Sequence, residues 1–304
     1  MLPKIKKNVY LAPLTSFKIG GPSQYYFQAK NKPDLIKAIK WAKQKEIPFF
    51  ILGSGSNILV SNQGFKGLVI KCQMSTLKYQ KQGLIYAEAG LPLNKLLEFS
   101  IKKGLTGLEY LVSIPGTLGG AIACNAGAFN HSIKDFIKKV EVLNSKTLKV
   151  EEKDAGECKF AYRESVFKQR KDLIILGVKI QLEKGNREES KNKIRSYLQM
   201  RRKTQPKESS AGCIFKNPPG LSAGWLIEQC GLKGLRLGEA EISKQHANFI
   251  INHGKATSQQ VKDLIKLIKQ KVKVKFDLDL EEEIEYVGFV PRGKKLFQIQ
   301  QKTK

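Results

Sequence analysis

The chain has 304 residues, 41% hydrophobic and 27% charged, a balance suited to a folded protein with two or three domains and a sizeable core. Its 54 basic against 27 acidic residues leave a formal net charge of +27, which keeps nucleic acid and small anionic substrates in play. No apolar run nears the ~20 residues that cross a bilayer, and the start, MLPKIKKNVYLAPLTSFKIGG, lacks an apolar stretch and a cleavage site, so a cytoplasmic protein without membrane insertion is expected.

Lys32-Pro33-Asp34 opens a helix, with Leu35, Ile39 and Trp41-Ala42 following at helical spacing. Ile47 to Leu52 and Leu68 to Cys72 are short apolar runs that predict buried strands. Pro92 begins a helix with Leu93, Leu96, Leu97 and Ile101 on one face. Lys138 to Glu152 predicts a hairpin turning at Asn144-Ser145-Lys146, and Leu173 to Leu182 another strand. Ser190 to Arg202 is a basic helix that ends before Pro206.

A separate unit follows, with its boundary near Gln205-Pro206. Ser222 to Cys230 predicts a short helix closed by Gly231, and His246 to Asn252 a strand. Ser258 is the expected cap of an amphipathic helix carrying Val261, Leu264, Ile265, Ile268 and Val272 in one stripe, and Leu280 to Val287 a charged strand. Helices and strands alternate irregularly, so the fold class is α+β.

Five cysteines, Cys72, Cys124, Cys158, Cys213 and Cys230, stand far apart with no C-x-x-C, and three histidines form no helical pair. Neither a disulfide framework nor a metal site is expected. The excess charge is mostly lysine, scattered along the chain, whereas arginine is the better reader of phosphate and bases. A lysine-rich solvated surface is favoured over a nucleic-acid surface, and no nucleic-acid partner is expected.

Two loops rich in small residues carry more information. In ILGSGSNILV, Ile51 to Val60, Gly53 and Gly55 permit positive φ, so successive N–H groups can line one concavity, with Ser54, Ser56 and Asn57 adding donors. The pattern is neither a Rossmann fingerprint, since Ile58 begins a β-rich run, nor a Walker A loop. Alone it leaves tight turn and phosphate site equally open. The second loop, SIPGTLGGAIACNAGAF, Ser113 to Phe129, removes side-chain bulk over a dozen residues, for tight helix–sheet packing or for a flat ligand. Together the two loops favour a large phosphate-bearing cofactor, which the residues do not name.

Eight segments in order resemble the UDP-N-acetylenolpyruvoylglucosamine reductase family over nearly the whole chain. They are TSFKIGGP (15–22), LGSGSNILVSNQGF (52–65), GLEYLVSIPGTLGGAIACNAGAF (107–129), AYRESVFK (161–168), SAGCIFKNP (210–218), AGWLIEQCGLKG (223–234), SKQHANFIIN (243–252) and LEEEI (280–284). The resemblance implies a two-subdomain FAD-binding domain of vanillyl-alcohol-oxidase (PCMH) type, over 1–75 and 76–205, and a C-terminal α+β substrate domain over 206–304. It implies non-covalent FAD, with Leu52, Gly53, Ser54, Gly55, Ser56, Asn57 and Ile58 around the pyrophosphate. Pro115, Gly116, Thr117, Gly119, Gly120, Asn125 and Ala126 would run along the flavin. It further implies NADPH as co-substrate, UDP-N-acetylglucosamine enolpyruvate as substrate and UDP-N-acetylmuramate, a peptidoglycan precursor, as product. A monomer is expected.

The implied reaction delivers hydride to a vinyl carbon, and the enolate it leaves needs fixed positive charge and an acid. Arg163 matches the family's position for the positive charge and Glu283 that of the family's catalytic glutamate, although a surface salt-bridge arginine and a solvated acidic face would fit the residues alone. The run Glu281-Glu282-Glu283 leaves that register open by one. Tyr162, Lys216 and Asn217 fall on the substrate side. Cys213 occupies the place where the family usually has serine as proton donor. A thiol is the stronger acid, with an ordinary pKa of about 8.5. It serves only if a cationic neighbour does not strip it to thiolate. A buried inert cysteine is the competing reading. Glu183 to Lys191 is short and lacks tyrosine, as in the shorter class of the family. Arg201-Arg202-Lys203 reads as a phosphate contact or as a solvated helix end. Another flavoprotein of the same cofactor fold is the alternative in chemistry, and a basic nucleic-acid-binding protein the alternative in class.

Overall fold

The computed structural model of the chain describes residues 4–289. Its first sheet orders the strands Lys6–Tyr10, Pro22–Ala29, Phe65–Cys72 and Phe49–Leu52, the first pair antiparallel and the other two parallel. Parallel pairing needs a crossover, which α1 (Lys32–Gln44) supplies. Asn31 caps it by accepting the Asp34 N–H, Pro33 sits in the first turn where no N–H is needed, and Leu35, Ala38, Ile39 and Ala42 make the buried stripe.

The second sheet is antiparallel, in the order Val150–Asp154, Ile137–Asn144, Leu173–Gln181, Leu84–Glu88 and Leu77–Tyr79. This part of the chain also holds α2 (Leu93–Lys102), α3 (Leu118–Ala123), α4 (Val166–Gln169) and α5 (Arg187–Thr204). The first two sheets share one core, in which Leu35, Ile39 and Leu68 join Leu96, Val140 and Leu176. The third sheet orders Ser209–Cys213, Phe249–Asn252, Ala240–Ile242 and Arg236–Leu237, with α6 (Ala223–Gln229) and α7 (Ser258–Phe276). Its core includes the expected stripe of α7, and each such side chain contributes about 1.5–3 kcal/mol on burial.

The third unit is not laid down by the last third of the chain alone. Phe17, Ile19 and Leu59 complete its core. In return the strand Glu285–Val287 pairs in parallel with Ile58–Val60, directly after the first glycine loop. The sequence predicts a strand from Leu280, but only Glu285–Val287 forms one. Before it, Lys216 N–H donates to the Glu281 carbonyl and Glu283 N–H to the Ile214 carbonyl, a single bridge centred on Phe215 and Glu282. The segment thus changes sheets within a few residues. Ser258 also differs from expectation. Thr257 caps α7, in a reciprocal box with Gln260, and Ser258 instead accepts the Asn62 N–H at 3.1 Å, tying the helix to the first sheet. Among the described residues no helix is long and apolar enough to cross a membrane, and no cluster of metal-ligating side chains occurs.

Candidate active site

The two glycine loops lie against each other. A Cβ on Gly53 would stand 2.5 Å from Thr117 Oγ1, and one on Gly116 would stand 3.7 Å from Ser56 Oγ. Gly55 has φ +67, and a Cβ there would meet the Leu14 carbonyl at 2.6 Å. Leu52 and Ile58 anchor the first loop by their side chains in a small apolar core with Val69 and Val287. Between them, among the described residues, the backbone N–H groups of residues 53–57 have no hydrogen-bond partner. Unpaired donors at the rim of a concavity are what a phosphate group satisfies. Lys71, in the neighbouring strand, donates from Nζ to the Gly53 carbonyl beneath the loop, and burial lowers its pKa. Lys71 went unnoticed in the sequence; its signal was a lysine inside the apolar strand Phe65–Cys72.

The second loop serves two purposes. Gly119 is packed, its N–H bonded to the Ala89 carbonyl at 2.7 Å and its missing Cβ within 2.9 Å of the Ala89 Cβ. Gly120 and Pro115 are exposed, and Gly120 has only Thr117 Oγ1 near its missing Cβ, leaving a ligand room to approach. Ala126 bonds back to the Ala121 carbonyl. Asn125, at φ +44 and buried, spends its side chain on the protein. Its Nδ2 donates to the Ala161 carbonyl at 2.8 Å and its Oδ1 accepts the Lys134 N–H. Asn57 is similarly committed, donating from Nδ2 to the Glu283 carbonyl at 3.2 Å.

These two asparagines brace the segments that carry Arg163 and Glu283. Ala161 and Glu164 close a four-residue turn by mutual backbone bonds, with Tyr162 and Arg163 at its tip. Arg163 takes φ +55, a left-handed conformation unfavourable for a long side chain, and Ser165 holds the turn by donating to the Ala123 carbonyl at 2.6 Å. The Arg163 Nη2 donates to the Gly127 carbonyl at 2.8 Å, and Nε stands 3.0 Å from Glu283 Oε1, an ion pair without an aligned hydrogen bond. Burial pulls the Arg163 pKa down, but Glu283 raises it overall, so the cation persists. Burial lifts the Glu283 carboxyl above its ordinary range, with Arg163 opposing. Glu283, and neither glutamate beside it, faces Arg163. Glu281 pairs with Lys216, and Glu282 with Lys269 and the Tyr286 hydroxyl.

Cys213 is aimed by a bulge. Ser210 pairs with Ile251 and Cys213 with Phe249, so the strand carrying the thiol has one residue more than its partner between those points. Gly212 absorbs it at φ +78, in open space, so its backbone angle rather than crowding requires glycine. Burial pushes the thiol up to about 12, Glu283 pushes the same way, and Arg163 and Arg201 pull it down. Burial thus outweighs the two cations. Cys124 lies under the same Arg163 and Glu283 charges, and burial pushes its thiol up to about 11.

On the outer side, Tyr162 and Asn217 line an open cavity of about 420 Å³ with Pro218, Pro219, Gly220, Leu221 and Ser222. The Asn217 N–H donates to the Tyr162 hydroxyl at 3.3 Å and its Oδ1 accepts the Ala223 N–H. Lys216 is buried, with Nζ between Glu164 at 2.8 Å and Glu281 at 2.5 Å. A diphosphate arriving there meets an ammonium already paired. Of the basic run at the end of α5, Arg202 and Lys203 are solvated, but Arg201 turns inward over the Phe129 ring, 5.2 Å from its centre. Sequence reasoning treated the three alike; the separating signal is Tyr197, one turn before Arg201, which stacks on Phe129 at 4.1 Å.

Comparison with known proteins bears on this arrangement. Residues 205–287 match the family described as UDP-N-acetylenolpyruvoylglucosamine reductase, C-terminal domain, and residues 23–148 match an FAD binding domain. The UDP-N-acetylenolpyruvoylglucosamine reductase of Caldanaerobacter subterraneus subsp. tengcongensis is 45% identical over 277 residues, 90% of each chain. That of Protochlamydia amoebophila is 41% identical over 283 residues, 93% of each. The crystal structure of UDP-N-acetylenolpyruvylglucosamine reductase (MurB) from Thermus caldophilus superimposes with a TM-score of 0.81 at 34% identity, over 94% of this chain and 99% of the other.

Proposed function

The chain belongs to the UDP-N-acetylenolpyruvoylglucosamine reductase family, with an FAD-binding domain joined to the family's C-terminal domain, and on that premise we propose that it reduces UDP-N-acetylglucosamine enolpyruvate to UDP-N-acetylmuramate at the expense of NADPH. One observation carries the reading. Arg163 and Glu283 face each other at 3.0 Å and both bear on the buried thiol of Cys213, and Asn57 and Asn125 tie the Glu283 segment and the Arg163 turn to the two glycine loops.

The loops fit FAD. Unpaired N–H groups, two serine hydroxyls and the Lys71 charge suit a pyrophosphate, and the open space beside Gly120 suits a flat ring system. When bound, FAD supplies hydride, taken from NADPH, to the terminal vinyl carbon of the substrate. The protein's own groups handle the charge and the proton. As the vinyl carbon becomes methyl, negative charge collects on the adjacent carbon and its carboxylate. The Arg163 guanidinium, fixed by Gly127 and Glu283, stabilises it without reorganising. Cys213 Sγ then gives its proton to that carbon.

The thiol suits this task before and after the transfer. Burial and Glu283 keep it protonated while it waits. A carbanion beside a carboxylate is far more basic than a thiolate, so the transfer runs downhill even from a thiol near 12. The thiolate left behind faces Arg163 and Arg201, which stabilise it until solvent restores the proton. Tyr162, Asn217 and Lys216 would receive the nucleotide-sugar in the adjoining cavity. NADPH and UDP-sugars are cytoplasmic metabolites, which supports action in that compartment.

The test is anaerobic. The purified protein should be yellow, and adding the enolpyruvate substrate with NADPH should consume both one for one and give UDP-N-acetylmuramate by mass spectrometry. A colourless protein, or NADPH oxidation that ignores the substrate, refutes the proposal.

A further inference from the structure

Residues 15–17 lie where the first glycine loop meets the third unit. On one side, the missing Cβ of Gly55 would stand 3.0 Å from the Thr15 Cα. On the other, Phe17 is buried in the third unit's core, and its carbonyl accepts from Asn252 Nδ2 at 2.9 Å. Ser16, between them, is bonded in both directions. Its N–H donates to the Gly55 carbonyl at 3.1 Å, and its hydroxyl donates to the Ser210 carbonyl at 2.7 Å. Ser210 opens the bulged stretch that passes through Gly212 and ends at Cys213.

The first bond orients the loop. Across a trans peptide the carbonyl of one residue and the N–H of the next point opposite ways, so a carbonyl held against the protein turns the N–H that follows it outward. Three carbonyls of the loop are held: Gly53 by Lys71 Nζ, Gly55 by the Ser16 N–H and Asn57 by the Glu285 N–H. The Ser54 and Ser56 N–H groups therefore face away from these anchors, and both are among the donors without a partner. The second bond fixes the strand of the thiol. Regular pairing of Ser209–Cys213 with Phe249–Asn252 is interrupted between Ser210 and Cys213. Gly212, at φ +78 with no atom near its missing Cβ, gives that stretch little support of its own. Ser16 holds the strand at the residue where its regular pairing stops.

Resting on the function proposed above, we infer that Ser16 is a positioning residue that sets the Cys213 thiol in register with the cofactor loop. One side of it ties the peptide that presents donors to a pyrophosphate, and the other ties the strand that carries the acid. Hydride and proton enter neighbouring carbons of one substrate, so the cofactor and the sulfur must be spaced to suit it. A misplacement of about 1 Å can cost about 100-fold in rate. Removing the hydroxyl takes this donor from the Ser210 carbonyl and lets the bulged strand shift, while the Ser16 N–H still holds Gly55. Cofactor binding and flavin reduction by NADPH are then preserved, and the step that needs the thiol is not.

The test compares Ser16→Ala and Ser16→Thr with the wild-type holoenzyme. In Ser16→Ala the FAD dissociation constant and the rate of flavin reduction by NADPH should stay within about twofold of wild type. Reoxidation by saturating enolpyruvyl substrate should slow about tenfold or more, a loss in kcat and not in KM. Ser16→Thr keeps the hydroxyl and should recover most of the rate. Iodoacetamide labelling of the oxidised holoenzyme, read peptide by peptide by mass spectrometry, follows the thiols without substrate. Cys213 should label about threefold faster or more in Ser16→Ala, a factor that one lost hydrogen bond allows, with the buried Cys72 and Cys158 unchanged. Faster labelling of all three means that the fold has loosened, and unchanged reoxidation or unchanged Cys213 labelling means that other contacts hold the strand. A fall in FAD affinity equal to the fall in reoxidation means that Ser16 acts on the cofactor alone, and no recovery in Ser16→Thr means that the hydroxyl is not the cause. Each of these overturns the inference. A wild-type holoenzyme whose reduced flavin the substrate does not reoxidise defeats the functional reading instead, and Cys213 labelling then still decides whether Ser16 holds the thiol's strand.

Discussion

Arg163 Nε stands 3.0 Å from Glu283 Oε1, and the two residues lie 120 positions apart in the sequence. Each is held by backbone contacts made elsewhere: the Arg163 turn by Asn125 and Ser165, the Glu283 carbonyl by Asn57. The pair is largely buried, so removing one partner leaves the other uncompensated, at a cost of about 3–5 kcal/mol where no water enters. Glu283 also contributes to the high pKa of Cys213. Glu283→Gln should therefore slow reoxidation of the reduced flavin by substrate by 100-fold or more and should make Cys213 easier to alkylate. Iodoacetamide labelling at pH 8, followed by mass spectrometry, checks the second effect. Labelling no faster than wild type would show that the carboxylate does not act on the thiol.

Cys213 itself separates the two halves of the reaction. Cys213→Ser should retain turnover, because a hydroxyl stands where the thiol stood. Cys213→Ala should leave flavin reduction by NADPH unchanged and slow reoxidation by substrate by about 100- to 10,000-fold, the range for loss of a general acid. Stopped-flow absorbance resolves the phases, and normal reoxidation in Cys213→Ala would remove the thiol from the mechanism.

The pH dependence follows from two raised values. A thiol pushed up to about 12 is about 99% protonated at pH 10, so reoxidation by substrate should not decline between pH 7 and 10 through this group. An unperturbed thiol would already be half ionised near pH 8.5. On the acid side, Glu283 protonates as pH falls through a value above the ordinary carboxylate range, which leaves Arg163 unpaired and lowers the rate. Glu283→Gln should lose that acid limb. A wild-type limb at the ordinary carboxylate pKa of about 4.3 would contradict the assigned burial.

Local patterns were legible where one element decides its own conformation. The α7 stripe, the Asn31-capped α1 and the hairpin at Asn144 follow from spacing and turn chemistry within a dozen residues. The glycine loops were legible as loops, but their contact through Gly53 and Thr117 joins residues 64 positions apart and leaves no periodic trace. The family resemblance pointed to Arg163, Cys213 and Glu283, yet it did not show Asn57 and Asn125 bonded to the protein. Nor did it show Lys216 neutralised by Glu164 and Glu281. Arg201 and Lys71 were hidden because a basic residue on a helix end or in a strand is ordinarily solvated, and only the packing of Phe129 and of the Gly53 loop turns them inward.

We assign Asn125 as a positioning residue, since its amide bridges the Ala161 carbonyl and the Lys134 N–H. Asn125→Ala frees the turn that carries Arg163 at φ +55, a conformation the surroundings must enforce. We expect kcat to fall about tenfold or more with the FAD dissociation constant within about twofold of wild type. Fluorescence titration of the apoprotein with FAD, beside steady-state kinetics, distinguishes this from collapse of the loop. Loss of FAD affinity equal to the loss of kcat would place Asn125 in the cofactor site instead.

Gly53 tests whether the two loops form one cradle. A Cβ there stands 2.5 Å from Thr117 Oγ1, closer than real contacts allow, and Thr117 is itself fixed at the start of α3. Gly53→Ala must push the loops apart, at about 1–3 kcal/mol, the range for overpacking. Because residues 53–57 offer their N–H groups from that contact, the same displacement spoils their convergence. FAD affinity should fall about tenfold or more, with a smaller drop in the melting temperature of the apoprotein than of the holoenzyme. Thr117→Ala beside Gly53→Ala removes the colliding oxygen and should restore part of the affinity. Unchanged FAD binding in Gly53→Ala would mean that the cofactor does not rest on this loop.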